Sequence, residues 1–283
     1  MTTEVIITGT GNPGPDANRA GPGVLVRCGD ISMQFDSGRS TVQRLAGAKQ
    51  PLPKLTAMFV THHHSDHLTG LPDLVMTRWL MDRTDTTPPL PIIAPEGPCV
   101  PFVNHMLDPW EDDLAIRRHH TGRTRKPTYE LTAFAYPEAP TEVWSQGDIR
   151  VLAGQVRHEP VHPAVGYRIE TPDGVIAITG DTLVCDEVAL LAESADVLVY
   201  EAMRFELIEA APAFRHFILD YHADTRLIGP QAAALGVTTL MLTHLIPPPH
   251  TAEEVAAYEA DIRAGGYEGE LIVADDLDTV VLG

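Results

Sequence analysis

The residues best suited to chemistry in this chain are gathered in Thr61-His62-His63-His64-Ser65-Asp66-His67. Imidazole and carboxylate are the ligand types that suit zinc and its borderline neighbours. The stretch follows an apolar run, Ala57-Met58-Phe59-Val60, and so reads as the end of a buried strand. In an extended segment side chains two apart face the same way, which lets His62 and His64 grip one ion. A turn after them lets Asp66 and His67 point at a second. A solvated polar loop is the plainer reading, but it does not account for five ligand-type residues in six positions at a strand end.

Stepping outward, three more candidate ligands close apolar stretches. His158 follows Ile149-Arg150-Val151-Leu152, Asp181 ends Val175-Ile176-Ala177-Ile178-Thr179-Gly180, and His244 ends Leu240-Met241-Leu242-Thr243. Met58-Phe59-Val60-Thr61-His62 and Leu240-Met241-Leu242-Thr243-His244 share one form, an apolar strand ending in Thr-His. Each half of the chain thus delivers ligands from strand ends into one shared cleft.

The H-x-H-x-D-H pattern, followed in order by a third His, an Asp and a last His, resembles the metallo-β-lactamase superfamily over essentially the whole chain. Gly9 to Gly23 with Arg19 and Gly21-Pro22, Ser32 to Gly38, and Tyr167-Arg168-Ile169 resemble its ribonuclease Z-like, arylsulfatase-like branch. The resemblance implies an α/β (α+β) fold, a four-layer αββα sandwich of two mixed sheets packed face to face with helices outside. Residues 1–283 would form a single domain. Carried over position by position, His62, His64 and His158 would form one metal site and Asp66, His67 and His244 the other, with Asp181 bridging. The expected cofactors are two Zn2+ ions, with Mn2+ or Fe2+ as alternatives. Two such ions lower the pKa of a shared water, so that hydroxide is available at neutral pH. His222, in Asp220-Tyr221-His222-Ala223-Asp224, matches a non-ligand catalytic His of the branch, placed to give a proton to the leaving group. Asp66 would share in proton transfer. His162, Tyr167 and Trp110 are the candidates for substrate contact.

The remaining elements are read from pattern. Gly9-Thr10-Gly11-Asn12-Pro13-Gly14 matches a dinucleotide fingerprint literally, but Pro13, Pro15 and Pro22 and the strand at Val24 exclude the helix such a site needs. Leu68 to Met81 has helical spacing, Asp108-Pro109-Trp110-Glu111 starts a helix, and Thr251-Ala252-Glu253-Glu254 is a capping box for a helix to Arg263. Strands are expected at 131–136, 149–156, 165–169, 197–200, 271–274 and 279–282. Segment 96–128, with His105, His119 and His120, shows no metal-ligand spacing, and segment 202–224 is less regular, with an apolar aromatic character.

Composition narrows the function. With 44% hydrophobic residues the chain buries a sizeable core. Its three cysteines, unpaired in spacing, suit a reducing compartment. No leader-like or membrane-spanning run is present, so a cytoplasmic location is expected, with no membrane partner. The net charge of −19 argues against a polyanionic partner. Only 22 residues separate His158 from Asp181, where the resemblance implies a long tRNA-gripping arm in ribonuclease Z. The expectation is therefore a binuclear zinc hydrolase of a small-molecule ester-type bond: a carboxylic ester or lactone, a phosphodiester or a sulfate ester. No nucleic-acid partner is expected, while a homodimer is allowed. The alternatives are a ribonuclease Z-type tRNA 3′ endonuclease and a mononuclear iron oxidase or dioxygenase on the same fold.

Overall fold

The structure, a computed structural model, describes residues 2–283. Among these, fourteen strands form two seven-stranded sheets. The first runs, edge to edge, Thr279–Leu282 (β14), Thr3–Gly9 (β1), Gly23–Cys28 (β2), Ile31–Phe35 (β3), Ala57–Phe59 (β4), Leu90–Pro95 (β5) and Tyr129–Phe134 (β6). The second runs Glu270–Val273 (β13), Thr239–Ile246 (β12), Val197–Met203 (β11), Gly174–Ile178 (β10), Val165–Thr171 (β9), Ile149–Gln155 (β8) and Thr141–Gln146 (β7). Both are mixed: β3 to β6 pair in parallel, as do β10 to β13, and antiparallel strands complete each sheet. This is the two-sheet sandwich the resemblance implies.

Parallel strands covered on both faces read as near-continuous apolar runs. All seven residues of β11 are buried, Glu201 alone among them charged, whereas the edge strands β6 and β7 are largely exposed. Between the sheets, Phe35 stacks on Phe59 at 4.7 Å between ring centroids, and Trp144 meets Phe59 edge-on at 5.7 Å. Helices cover the outer faces. Leu71–Met81 packs Leu71, Leu74 and Val75 into the cluster containing Met58, Val60 and Ile92. Thr225–Leu235 and Ala252–Ala264 put Ile228, Ala232, Tyr258 and Ile262 against Leu240 and Leu242.

The capping box at Thr251 and Glu254 forms as expected. The helix Thr225–Leu235 starts where the Asp224 side chain accepts from the Arg226 N–H. Its C-terminus carries Gly236 in the left-handed region. Strand β7 has no counterpart among the expected strands: it is an exposed edge whose Thr-Glu-Val-Trp-Ser-Gln sequence has no clean alternation.

The end of the sandwich where β4, β10 and β12 finish is drawn tight by glycine. A side-chain carbon on Gly38 would come within 2.5 Å of the Asp66 carbonyl oxygen. Gly180, at φ +63°, makes the left-handed turn that presents Asp181, and a Cβ there would crowd Thr61 at 3.0 Å.

Candidate metal centre

Strand β4 leads through Thr61 into His62, and the one-turn helix Ser65–Leu68 turns the chain so that Asp66 and His67 face inward. Asp181 follows β10, His158 follows β8, and His244 lies near the end of β12 with φ at +47°. These elements bring all seven expected ligands together. The donor atoms of His62, His64, His158 and Asp181 lie within 4.8 Å of one another, and so do those of Asp66, His67 and His244. Asp181 faces both groups: its Oδ2 is 3.9 Å from His62 Nε2 and 3.5 Å from His244 Nε2, and its Oδ1 is 3.3 Å from His67 Nε2.

The donor set fits metal. His62 Nε2 and His67 Nε2 are buried with no hydrogen-bond partner, and both lie beside Asp181. Burial and the neighbouring His67 keep His62 well below the usual imidazole range; burial also lowers His64, and it brings His158 down to about 4. These three rings are neutral ligands at pH 7. The other half is electrostatically opposite. Burial disfavours charge on His244, but Asp181 and Asp66 outweigh it and raise the ring to about 9. Burial likewise opposes charge on His67, yet Asp181 and Asp36 raise it well above its ordinary value. Asp66 reaches about 2 because the hydrogen bond and charge of His244, with His67, outweigh burial. Carboxylates that draw protons onto two buried imidazoles draw a cation to the same place.

Outer residues fix the rings. His67 Nδ1 donates to Asp36 Oδ2 at 2.7 Å, while Asp36 Oδ1 accepts from the Thr61 N–H at 2.8 Å. The Thr61 hydroxyl gives its proton to Asp36 Oδ2 at 2.7 Å and so accepts from His62 Nδ1 at 2.9 Å. His158 Nδ1 donates to the Tyr221 carbonyl at 2.9 Å. In each case the second ring nitrogen is left for the cluster. His222 Nδ1 donates to Glu201 Oε1 at 2.8 Å, and the same oxygen accepts from the N–H groups of Thr182 and Ala223. His222 also lies within donor-atom reach of Asp181 and His244, and stacks on His244 at 5.4 Å.

Asp36 and Glu201 were not picked out from the sequence. For Glu201 the available signal was a lone carboxylate in an otherwise apolar strand, and for Asp36 a carboxylate directly after the strand that ends at Phe35; each is at most 5% exposed in the fold, and a buried charge must have a partner. The three residues expected to touch substrate are not brought to the cluster. Tyr167 is fully buried on the inter-sheet face of β9, with its hydroxyl on the Val60 carbonyl. His162 rests edge-on against Tyr136 at 4.5 Å. Trp110 sits in a short 3-10 turn and lines a separate groove with Leu80 and Leu114. Four of the candidate ligands, His64, Asp66, Asp181 and His244, instead line an open cleft of about 890 Å³ together with Asn12, Asp16, Tyr221 and His222, among others.

A family model described as Beta-lactamase superfamily domain matches residues 12–245. The chain belongs to the metallo-β-lactamase superfamily. Within that superfamily it is 36% identical to a ribonuclease Z of Mycolicibacterium gilvum, over 98% of this chain and 95% of the relative. It is 34% identical to a ribonuclease Z of Mycobacterium bovis, over 98% of this chain and 97% of the relative. Among solved structures, the metallo-β-lactamase fold protein YhfI of Bacillus subtilis superposes with a TM-score of 0.74 at 21% identity, covering 99% of this chain and all of the other. Human tRNase Z, short form, gives 0.73 at 21% identity, covering 98% of each chain. The protein is a metal-dependent hydrolase of this superfamily, with a His/Asp cluster able to hold metal.

These relatives overturn two expectations, a small-molecule ester as substrate and the absence of a nucleic-acid partner. Proteins called ribonuclease Z match this chain from end to end, and it spans 95–97% of their own lengths. A long inserted arm therefore cannot be what distinguishes them. The net charge of −19 is a sum over the whole surface and says nothing of the cleft. Cations held by the His/Asp cluster there would change the local sign.

Proposed function

We propose that this protein is a ribonuclease Z-type endonuclease that hydrolyses one phosphodiester at the 3′ side of a precursor tRNA, acting as one domain in the cytoplasm. End-to-end identity of 36% to a ribonuclease Z carries the reading. The cleft supports it, being open and about 890 Å³, room for a polymer to lie across the donor cluster.

Two divalent ions are assigned to the cluster, zinc first by its mixed imidazole and carboxylate donors. His62, His64 and His158 would hold one, Asp66, His67 and His244 the other, and Asp181 both. Bound there, such ions supply an activated water and offset the charge that builds on the phosphoryl oxygens. The chain's own part is to orient and to move a proton. Asp36 and Thr61 hold His62 and His67 with Nε2 toward the cluster. Glu201 holds His222 through Nδ1, so that Nε2 is the nitrogen available to protonate the leaving ribose oxygen. The test is incubation of a precursor tRNA bearing a 3′ trailer with zinc- or manganese-loaded protein, the new ends being mapped by sequencing. Cleavage at a single position is expected. A folded, metal-replete protein that leaves the precursor intact refutes the proposal.

A further inference from the structure

A row of rings leads out of the metal cleft and finishes on the surface. His158 and His222 lie against Tyr221 with centroids at 5.2 and 4.8 Å, and Tyr221 lies 6.2 Å from Phe217. Phe217 is 59% exposed and Phe214 77% exposed. Both belong to the 3-10 segment Ala213–Asp220, in which residues three apart fall on the same face. Arg215, between them, makes no salt bridge among the described residues, and with Phe217 and Tyr221 it lines the cleft that also holds His64, Asp181 and His244.

Packing does not explain the two phenylalanines. The segment is anchored by its other apolar side chains, Ile218 and Leu219, which pack with Met203, Phe205, Ile208 and Ile246. A single exposed apolar residue calls for no account. Two large rings on one face, flanking an arginine and continuous with the rings of the reaction centre, do.

We infer that Phe217, with Phe214 and Arg215 beside it, is a platform on which the unpaired bases of RNA next to the scissile phosphodiester stack. This rests on the ribonuclease reading above. Bases in a duplex already stack on each other, whereas unpaired bases at an end can splay onto aromatic side chains. Such stacking tolerates any sequence, because every base has a π face, and a guanidinium alongside meets the backbone phosphate. The platform thus favours an unpaired stretch running out of the cleft, independent of its sequence.

The test uses the metal-loaded full chain and a precursor tRNA in two forms, one with an ordinary trailer and one abasic at the nucleotides flanking the cleavage site. Phe217→Ala should raise KM for the ordinary precursor about five- to a hundredfold, with a smaller change in kcat. Phe217→Trp should restore it. Abasic sites should raise the wild-type KM to a similar value, and Phe217→Ala should then add little, since both remove the same contact. An unchanged KM for Phe217→Ala, or losses that simply multiply on the abasic precursor, overturns the inference while leaving the ribonuclease reading intact. A wild-type enzyme that hydrolyses bis(p-nitrophenyl) phosphate but no precursor removes the ribonuclease reading and the platform with it. A wild-type dimer that the double variant Phe214→Ala/Phe217→Ala dissociates would assign the patch to a second copy of the chain and overturn it as well.

Discussion

Replacing Asp36 by Asn should disable the metal centre without removing a single ligand. Asp36 is 5% exposed and sits at φ +54°, a conformation that Asn tolerates well, so the backbone need not move. Its Oδ1 accepts from the Thr61 N–H, which obliges an amide at this position to put its oxygen there. The NH2 group then occupies the place of Oδ2 and points donors at His67 Nδ1 and the Thr61 hydroxyl. His67 can answer only by accepting at Nδ1, which moves its proton to Nε2, the atom facing Asp181. The Thr61 hydroxyl, now an acceptor from the introduced amide, turns its own proton toward His62 Nδ1 and drives the same tautomer change there. One exchange of oxygen for NH2 thus blocks a donor atom in each half of the cluster. Losing an outer partner of a metal-bound His costs about 10–100-fold in metal affinity, roughly 1.4–2.7 kcal/mol. Here both halves should show it. Zinc titration by calorimetry, with circular dichroism to confirm the fold, measures the effect. Wild-type affinity at both sites in a folded Asp36→Asn protein would refute the relay from Asp36 through Thr61 to His62.

Asp181→Asn should lower metal content more than His244→Ala, because Asp181 alone faces both groups; elemental analysis should show a loss at least as large as the 10–100-fold change in affinity expected of an outer partner. In the metal-free protein His244, at about 9, and His67, well above its ordinary value, both carry a proton at pH 7, so metal in that half must displace two; zinc affinity there should rise by up to roughly a hundredfold per pH unit from pH 7 until the rings deprotonate, with proton release measurable by calorimetry in buffers of different ionisation enthalpy. His158, at about 4, is already neutral throughout that window and adds nothing to the slope. His222→Ala should keep its metal and lose roughly 10²–10⁴-fold in kcat on a precursor tRNA, whose leaving ribose oxygen needs a proton, but much less on bis(p-nitrophenyl) phosphate, whose nitrophenolate does not; equal losses on the two substrates at full occupancy would exclude the acid role.

The elements that carry chemistry were the most legible, and the reason is physical. Thr61 to His67, Asp181 and His244 sit where apolar parallel strands end, so continuous apolar runs point straight at them. Residues that act through another residue leave a fainter trace. Asp36 and Glu201 are single carboxylates whose partners are 31 and 21 positions away, and only the folded chain joins them. Tyr167 is placed away from the cluster for a local reason: it follows the His158 ligand in the sequence, but alternation along β9 turns it inward against Phe35 and Phe59. Segment 202–224 had no period to read because it is a short helix followed by eight residues of 3-10 turn.

The substrate was the least legible feature, since charge and chain length report on the wrong scale. A total of −19 is spread over the whole surface, whereas a phosphodiester meets only the cleft. At its base the acidic residues are the ones that would hold cations: Asp66 and Asp181 are nearly fully buried and grouped with His62, His64, His67, His158 and His244. Each divalent ion held there would add two positive charges where a phosphodiester of the proposed substrate would lie, and in that confined place they would count for more than distant surface carboxylates screened by salt. A strongly acidic protein can therefore present an anion-binding cleft. The loss of that cleft should track the loss of metal from Asp66 and Asp181, not the net charge of the chain.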